Sequence, residues 1–232
     1  MISIRPAAER GHANHGWLDS YHTFSFSSYQ DPAHMGFSIL RVINDDRIAP
    51  GGGFPTHGHE DMEIVTYVMD GALEHKDSMG NGSIIRPGDV QYMSAGTGVR
   101  HSEYNASREQ PVHLLQIWLL PNRTGVEPGY AQQQFTDQSR RNRLALMVSP
   151  DGRDGSISAH QDGLLYGTVL DDGAVVEHRL SADRRAYLHV ARGAAEVCDE
   201  LMRGGDGARI DVGDLVRIEG VDGAEVLLFD LP

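Results

Sequence analysis

Short apolar stretches separated by turn residues run along the whole chain. Each stretch is 4 to 8 residues long and rich in Val, Ile and Leu, which is too short for an amphipathic helix and typical of β-strands. They occupy residues 37–43, 62–68, 113–120, 186–190, 215–218 and 226–229. Gly-containing pairs such as Asp70-Gly71, Gly213-Asp214 and Asp222-Gly223 supply turn signals between them. This spacing predicts a β-sandwich or barrel, with room for helical turns only at residues 19–21, 128–143 and 198–202.

Two pairs of similar segments indicate an internal duplication. Residues 68–74 (VMDGALE) resemble residues 190–196 (VARGAAE) at an offset of 122. Residues 85–90 (IRPGDV) resemble residues 210–215 (IDVGDL) at an offset of 125. Because both matches keep their order and nearly the same offset, they predict one β unit present twice. The predicted fold is therefore all-β, with two antiparallel barrels or jelly-roll sandwiches and few short helices.

A polar stretch that contains Pro and Gly lies between the two repeats and is interpreted as a linker. We therefore divide the chain into an N-terminal barrel over residues 1–125, a linker over residues 126–143 and a C-terminal barrel over residues 144–232.

The composition excludes several classes of protein. The chain has 232 residues, and none of its apolar runs approaches the roughly 20 residues that cross a bilayer. Its formal charge of −13 would repel a phosphate backbone, so direct binding of nucleic acid is not expected. The amino terminus has no apolar signal segment, and a lone cysteine, Cys198, cannot form an internal disulfide. We therefore expect a cytoplasmic protein.

Histidine is the unusual component of the sequence. Nine of the 12 histidines precede the chain midpoint, so the chemistry is expected in the first half. Seven histidines are interpreted as exposed, or as packed and hydrogen-bonded: His12, His15, His34, His75, His160, His178 and His189.

Two short motifs place metal-binding side chains on one face of a strand. His57 and His59 are two residues apart, as are His101 and Glu103, and residues i and i+2 of a strand point to the same side. If the two segments are neighbouring strands, three imidazoles and one carboxylate face a common interior. Such a donor set favours a divalent transition metal over calcium or magnesium. Glu63 shares the parity of His57 and His59, so spacing alone leaves either carboxylate as the ligand.

The spacing of these motifs resembles that of the cupin superfamily. Gly51, His57, His59, Glu63 and Gly71 follow the first cupin motif, with a last spacer one residue longer than is common. The second motif is represented by Gly88, Ser94-Ala-Gly96 and His101, with Ser94 in place of the usual Pro and the histidine two residues late.

Longer segments are similar to the pirin family of bicupins, in particular to bacterial pirin-like proteins described as quercetin dioxygenases. These segments are HANHGWLDSYHTFSFSSY (12–29), THGHEDME (56–63), DSMGN (77–81), MSAGTGVRHSEYN (93–105) and the terminal VLLFDLP (226–232). The similarity covers nearly all of the first half. In the second half it lies in the general pattern of residues and in the terminal VLLFDLP.

The resemblance implies a set of metal ligands. In the pirin family the carboxylate ligand follows the third histidine, which selects His57, His59, His101 and Glu103 and leaves Glu63 as a supporting residue. Iron is the expected metal, and zinc, nickel, cobalt, manganese or copper would also suit the donors. The second barrel is expected to hold no metal, because its equivalent positions fall near Arg179, Ser181, Val226 and Leu228. The family also implies a monomer.

The resemblance also implies a reaction. A flavonol, such as quercetin, and O₂ would be the substrates, Glu103 would be both metal ligand and general base, and the products would be a ring-opened depside and carbon monoxide. Phe54 and Met93 could line the substrate pocket or belong to the core, whereas Trp17, Phe24 and Phe26 are interpreted as core. Two alternatives remain: an iron-binding regulatory pirin that docks on a protein partner, and a metal-free ligand-binding cupin.

Overall fold

The computed structural model describes residues 2–211 and 215–232, and nearly all of its regular structure is β-strand. In the first part of the chain the strands are β1 (Ile2–Arg5), β2 (Gly11–Asn14), β3 (Leu18–His22), β4 (Leu40–Ile48), β5 (Gly53–His59), β6 (Glu63–Asp70), β7 (Leu73–Asp77), β8 (Gly82–Ile85), β9 (Asp89–Ser94), β10 (Val99–Asn105), β11 (Val112–Leu119) and β12 (Gly129–Gln134). In the second part they are β13 (Ala145–Ser149), β14 (Ile157–Ser158), β15 (Leu164–Leu170), β16 (Val175–Arg179), β17 (Arg185–Val197), β18 (Glu200–Arg203), β19 (Gly207–Ile210) and β20 (Leu215–Leu231). Helical structure in the described chain is one short helix, α1 (Asp137–Arg140), and three 3₁₀ turns at Ala7–Glu9, Pro32–His34 and Arg153–Gly155.

The strands form three sheets. A seven-stranded sheet has the order β12-β9-β6-β11-β4-β3-β2, and a four-stranded sheet has the order β5-β10-β7-β8. The third sheet follows the path β1-β19-β17-β20-β15-β13-β14, with β16 paired to β20 and β18 paired to β17. In the described residues none of these sheets closes into a barrel, so the sandwich form of the predicted bicupin fold is the one observed.

Alternation along the seven-stranded sheet gives it two different faces. In β6 the side chains of Ile64, Thr66 and Val68 point to one side, while Val65 and Tyr67 point to the other. The first face covers the four-stranded sheet and closes the N-terminal sandwich. The second face packs against the C-terminal half, so every residue of β6 from Glu63 to Met69 is buried although the strand belongs to an antiparallel sheet.

The largest apolar cluster of the molecule joins the two halves. It combines residues of the seven-stranded sheet, such as Ile43, Val65 and Ile117, with residues of the second half, such as Tyr187 and Phe229. The first strand strengthens this union, because β1 pairs with β19 in the C-terminal sheet. The segment predicted as a linker contains β12, which pairs with β9, and α1. The division of the chain into these three segments stays a prediction.

The structure corrects several local predictions. Residues 19–21 lie in β3, and residues 198–202 form a tight turn followed by the start of β18, so neither segment is helical. The apolar stretches 215–218 and 226–229 belong to a single strand, β20. The pair Asp222-Gly223 is therefore inside a strand, where the register shifts and Gly223 takes a positive φ of 51°. The predicted turn at Gly213-Asp214, and with it part of the second repeat, lies outside the described residues.

In the first repeat pair, Gly71 and Gly193 adopt similar left-handed backbone angles, with φ of 77° and 67°. A side chain at either position would also meet backbone atoms of a neighbouring segment, so both the backbone angles and the lack of space favour glycine.

None of the helices in the described chain has the length and hydropathy needed to span a bilayer.

Candidate metal centre

Three of the predicted site residues lie together because β5 and β10 are neighbouring antiparallel strands. His101 is directly opposite His57 in the register, and His59 lies two residues further along β5. The candidate ligand atoms of the three histidines all lie within 4.8 Å of one another. Their ring centroids are 4.4 to 4.9 Å apart, so the three imidazoles converge on one point.

A bulge in β5 shapes this arrangement. His101 pairs with His57, but Glu103 pairs with Phe54, so β5 spans three residues where β10 spans two. The extra residue lets Phe54 and His57 both face inward. It also places the Pro55 carbonyl 2.9 Å from Nδ1 of His57, which donates its proton there. Nε2 of His57 then carries the lone pair that a metal ion requires.

The surroundings lower the pKa of two of the imidazoles, those of His59 and His101. Burial, with a smaller effect from His57, lowers the pKa of His59 to about 4. Burial and the neighbouring histidines hold the pKa of His101 far below its ordinary value. Both ring nitrogens of His101 are buried without a hydrogen-bond partner among the described residues. A neutral, unpartnered imidazole in a cluster of three is what a metal ion would satisfy, so these residues fit a bound cation.

The fourth predicted residue, Glu103, belongs to a second group that shares His101. The candidate ligand atoms of His75, His101 and Glu103 also lie within 4.8 Å of one another. Gln116 donates its amide to both carboxylate oxygens of Glu103 at 3.1 Å, and its own carbonyl accepts from Thr66 at 2.8 Å. Burial, which the Gln116 hydrogen bond only partly offsets, raises the pKa of Glu103 to about 7.

The sequence indicates an exposed or a packed and hydrogen-bonded side chain at His75, and the structure places it beside the site. It is completely buried on β7, with Nε2 3.3 Å from an oxygen of Asp77. Its ring centroid lies 5.3 Å from that of His101 and 5.1 Å from that of Tyr130. The signal in the sequence was its alternation with Leu73, which marks His75 as inward-facing in β7.

Glu63 is a member of neither group in the described chain. Its carboxylate accepts hydrogen bonds from the hydroxyls of Tyr92 and Ser94 and from the backbone N–H of His160 at 2.9 Å. The parity argument fails because β5 ends at His59 and β6 begins at Glu63 in a different sheet. Glu63 faces the second half, and it ties the two halves together instead of facing the histidines.

A row of polar side chains crosses the inner face of the seven-stranded sheet. Residues that lie directly opposite one another on β3, β4, β11, β6 and β9 are His22, Asn44, Gln116, Thr66 and Gln91. The row lies between two separate apolar clusters of the N-terminal sandwich, one around Ile48 and one around Met93. The interior of this sandwich is therefore divided by polar groups, as a binding site requires and a core does not.

A cavity of about 550 Å³ opens onto these groups. One wall carries His57, His59 and Glu103, and the opposite wall carries polar side chains of β3 and β4. Four aromatic residues complete the lining: Trp17, Phe26, Phe54 and Trp118. Trp17 and Phe26, interpreted as core from the sequence, line this cavity, and Trp17 also packs against the apolar cluster around Ile48. Phe24 is buried between the halves. Phe54 lines the cavity, and Met93 belongs to the core.

Comparison with known proteins agrees with this architecture. The Pirin family profile matches residues 3–119, and the profile described as the quercetinase C-terminal cupin domain matches residues 146–231. A protein of Escherichia coli named quercetin 2,3-dioxygenase is 50% identical over 232 residues, covering 100% of this chain and 99% of that protein. The pirin-like protein of Caulobacter vibrioides is 40% identical over 231 residues, covering 99% of each chain.

A solved structure extends the comparison to a bound metal. The crystal structure of the bacterial pirin YhhW from Escherichia coli in complex with nickel(II) has a TM-score of 0.95 and 49% identity, covering 100% of this chain and 99% of that chain. Since both halves and the whole length are matched, this chain belongs to the pirin family of bicupins.

Proposed function

We propose that this protein is a metal-dependent dioxygenase that opens the oxygen-containing ring of flavonols with O₂ and releases carbon monoxide. The observation that carries the proposal is the joining of the histidine cluster and Glu103 to an aromatic-lined cavity of about 550 Å³. That volume and lining suit an aromatic molecule of flavonol size. The name of the Escherichia coli relative supports the same reaction class.

The metal would be held by His57, His59, His101 and Glu103. The unpartnered nitrogens of His101 and the fixed tautomer of His57 support this set, and the nickel complex of the relative supports a divalent transition metal. More specifically, we propose that iron is the metal that the site binds in the cell. When bound, the ion would supply Lewis acidity that makes a hydroxyl group of the substrate easier to deprotonate.

The residues of the chain would then position the substrate and move one proton. A flavonol must lose the proton of its 3-hydroxyl before its electron-rich ring reacts with O₂. Glu103 is the carboxylate that lines the cavity beside the histidines, so we assign proton acceptance to its Oε atoms. Gln116 orients that carboxylate by bonding both oxygens, and the rings of Phe54 and Trp118 flank the space where a planar substrate would lie.

The ligand set is tested by metal content. We expect Glu103→Ala to lose metal on anaerobic purification and reloading, whereas Glu63→Ala, the same change at a buried carboxylate outside the cluster, should retain it. Full occupancy in Glu103→Ala together with loss in Glu63→Ala would reverse the assignment of the two residues.

The reaction is tested on metal-loaded protein with quercetin. Oxygen uptake and carbon monoxide release in equal amounts are expected, because one O₂ adds to the flavonol while one carbon leaves as CO. Glu103→Gln should abolish turnover even in preparations that retain metal. If the metal-replete protein turned over no flavonol, the dioxygenase proposal would be rejected and the regulatory alternative favoured. In that alternative, the formal charge of −13 would attract a basic protein partner. A cytoplasmic location and a monomeric state remain predictions.

A further inference from the structure

A compact group of polar side chains forms the cavity wall opposite the histidines. We call it the polar patch, and it consists of Ser20 and His22 on β3 and Asn44 and Asp46 on β4. Ser20 is directly opposite Asp46 in the register, and His22 is directly opposite Asn44, so all four point from the same face of the sheet into the cavity. All four are buried, and none of them belongs to the candidate metal ligands.

Hydrogen bonds within the patch fix which atoms face outward. The Ser20 hydroxyl donates to Oδ1 of Asp46. Nδ1 of His22 donates to Oδ1 of Asn44 at 2.8 Å, which leaves Nε2 of His22 as an acceptor. Among the described residues, this Nε2, the Asn44 amide nitrogen and Oδ2 of Asp46 have no side-chain or backbone partner. Burial raises the pKa of Asp46 to about 7. When this carboxyl group is ionised, the patch offers two acceptors and one donor to whatever occupies the cavity.

This set of atoms matches hydroxyl groups on an aromatic ring. A phenolic hydroxyl donates one hydrogen bond and accepts others, so a pair of them can satisfy both acceptors and the donor at once. Buried polar groups left without partners destabilise a complex, so an occupant without hydroxyls at this place would bind less well. A site built to bond a hydroxyl in this way rejects analogues that lack it far more strongly than an apolar pocket does.

We infer that the polar patch is a specificity subsite for polyhydroxylated aromatic substrates. It binds hydroxyl groups other than the one that reaches the metal, and Asp46 is its main acceptor. The inference rests on the proposed function, since it assumes that the substrate's reacting hydroxyl lies at Glu103. It adds that the enzyme selects polyhydroxylated flavonols over a flavonol that carries only the 3-hydroxyl group.

Two flavonols test the subsite. Quercetin carries four hydroxyls besides the one at position 3, whereas 3-hydroxyflavone carries only that one. Dissociation constants are measured by absorbance titration of each flavonol with anaerobic, metal-loaded protein, so the readout does not depend on turnover. We expect the wild type to bind quercetin about tenfold more tightly, the scale of one or two buried hydrogen bonds.

Variants then separate the patch from the rest of the cavity. Asp46→Ala should weaken quercetin by about tenfold and change 3-hydroxyflavone by less than about twofold, with metal content unchanged. Ser28→Ala, a change in the same cavity lining outside the patch, should leave the ratio of the two affinities as in the wild type. If Asp46→Ala fails to fold, Asn44→Ala provides the same comparison.

The outcomes distinguish this inference from the proposed function. Equal weakening of both flavonols in Asp46→Ala would overturn the subsite and leave the dioxygenase intact. Selective binding of quercetin without carbon monoxide release would support the subsite and reject the dioxygenase. A wild type that binds neither flavonol would reject both.

Discussion

Gln116 offers a direct test of how the sheet supports the candidate metal centre. Its amide group donates to both oxygens of Glu103 at 3.1 Å and accepts the hydroxyl of Thr66 at 2.8 Å. The side chain is buried on β11, so water does not replace these bonds easily. Gln116→Met keeps the length and approximate volume of the side chain and removes its polar atoms.

The magnitude follows from the bonds removed. A hydrogen bond to a charged group contributes about 1.5–3 kcal/mol, and groups that hold a metal ligand in place typically change metal affinity by about 10- to 100-fold. Because about 1.4 kcal/mol corresponds to a factor of ten, the two scales agree. We therefore expect Gln116→Met to weaken the binding of nickel(II) by about 10- to 100-fold.

The assay is a competition titration with a chromophoric chelator, which measures nickel(II) affinity without any substrate. Gln91→Met is the matched control, because Gln91 is 1% exposed, belongs to the same polar row and has an amide nitrogen without a partner in the described chain. That variant should bind nickel(II) as the wild type does and unfold at the same temperature or higher. Wild-type affinity in a folded Gln116→Met would refute the idea that this amide positions the carboxylate.

Two further predictions concern stability. Arg140, 3% exposed, donates hydrogen bonds to Glu225 at 2.7 Å and to the hydroxyl of Tyr67, which itself bonds Glu225 across the two halves. Arg140→Met should therefore lower the free energy of unfolding by about 3 kcal/mol, whereas Arg140→Met with Glu225→Leu should recover part of this loss. Denaturant unfolding of both variants checks this, and a double variant less stable than the single one would contradict it. Asp45 is buried, and although burial alone would raise its pKa, the hydrogen bond from His113 and the charges of two arginines hold the pKa below its ordinary value. Ionised Asp45 therefore stabilises the folded protein fully above its unfolded pKa of about 3.9, and this stabilisation is lost as the pH falls towards the lower folded pKa. The difference in unfolding free energy between wild type and Asp45→Asn should be constant above about pH 5 and shrink in acid. A difference that grows on acidification would show that the sign is wrong.

The strand pattern predicted which side chains of the candidate site face the same side of their strands, because this depends only on local alternation. His57 with His59, and His101 with Glu103, obey a period of two within single strands, and the strands that carry them are neighbours. The bulge at Phe54 changes which residue of β5 faces inward further along, but it leaves the histidine pair in phase.

The rest of the site could not be predicted, because it depends on which sheets face each other. His75 reaches the cluster from β7, and Gln116 reaches Glu103 from the opposing seven-stranded sheet, which also carries Asp46 on the other wall of the cavity. No periodicity within one strand shows that these side chains meet, since their approach is set by packing between sheets. The same limit left Glu63 open as a ligand, because its apparent phase with His59 crosses from one sheet to another.

Turn residues predicted the class of fold better than its individual elements. The pair Asp222-Gly223 has the composition of a hairpin turn, but the neighbouring strand β17 continues past it and pairs with β20 on both sides. The register shift at this point absorbs the left-handed glycine, so the strand bends and continues. A tertiary pairing thus overrides a local turn preference, which sequence composition alone does not reveal.

The distribution of apolar clusters shows what the second half contributes to the candidate metal centre of the first half. The second half contains a continuous apolar cluster of its own, including Leu188, Val216 and Val226, whereas the polar row divides the interior of the first half. A sandwich divided in this way buries less apolar surface internally and so gains less from the hydrophobic effect. The large cluster between the halves compensates, because it buries the outer face of the same sheet that carries the polar row on its inner face. Polar groups can therefore line the cavity on one side of this sheet because the C-terminal half stabilises the other side.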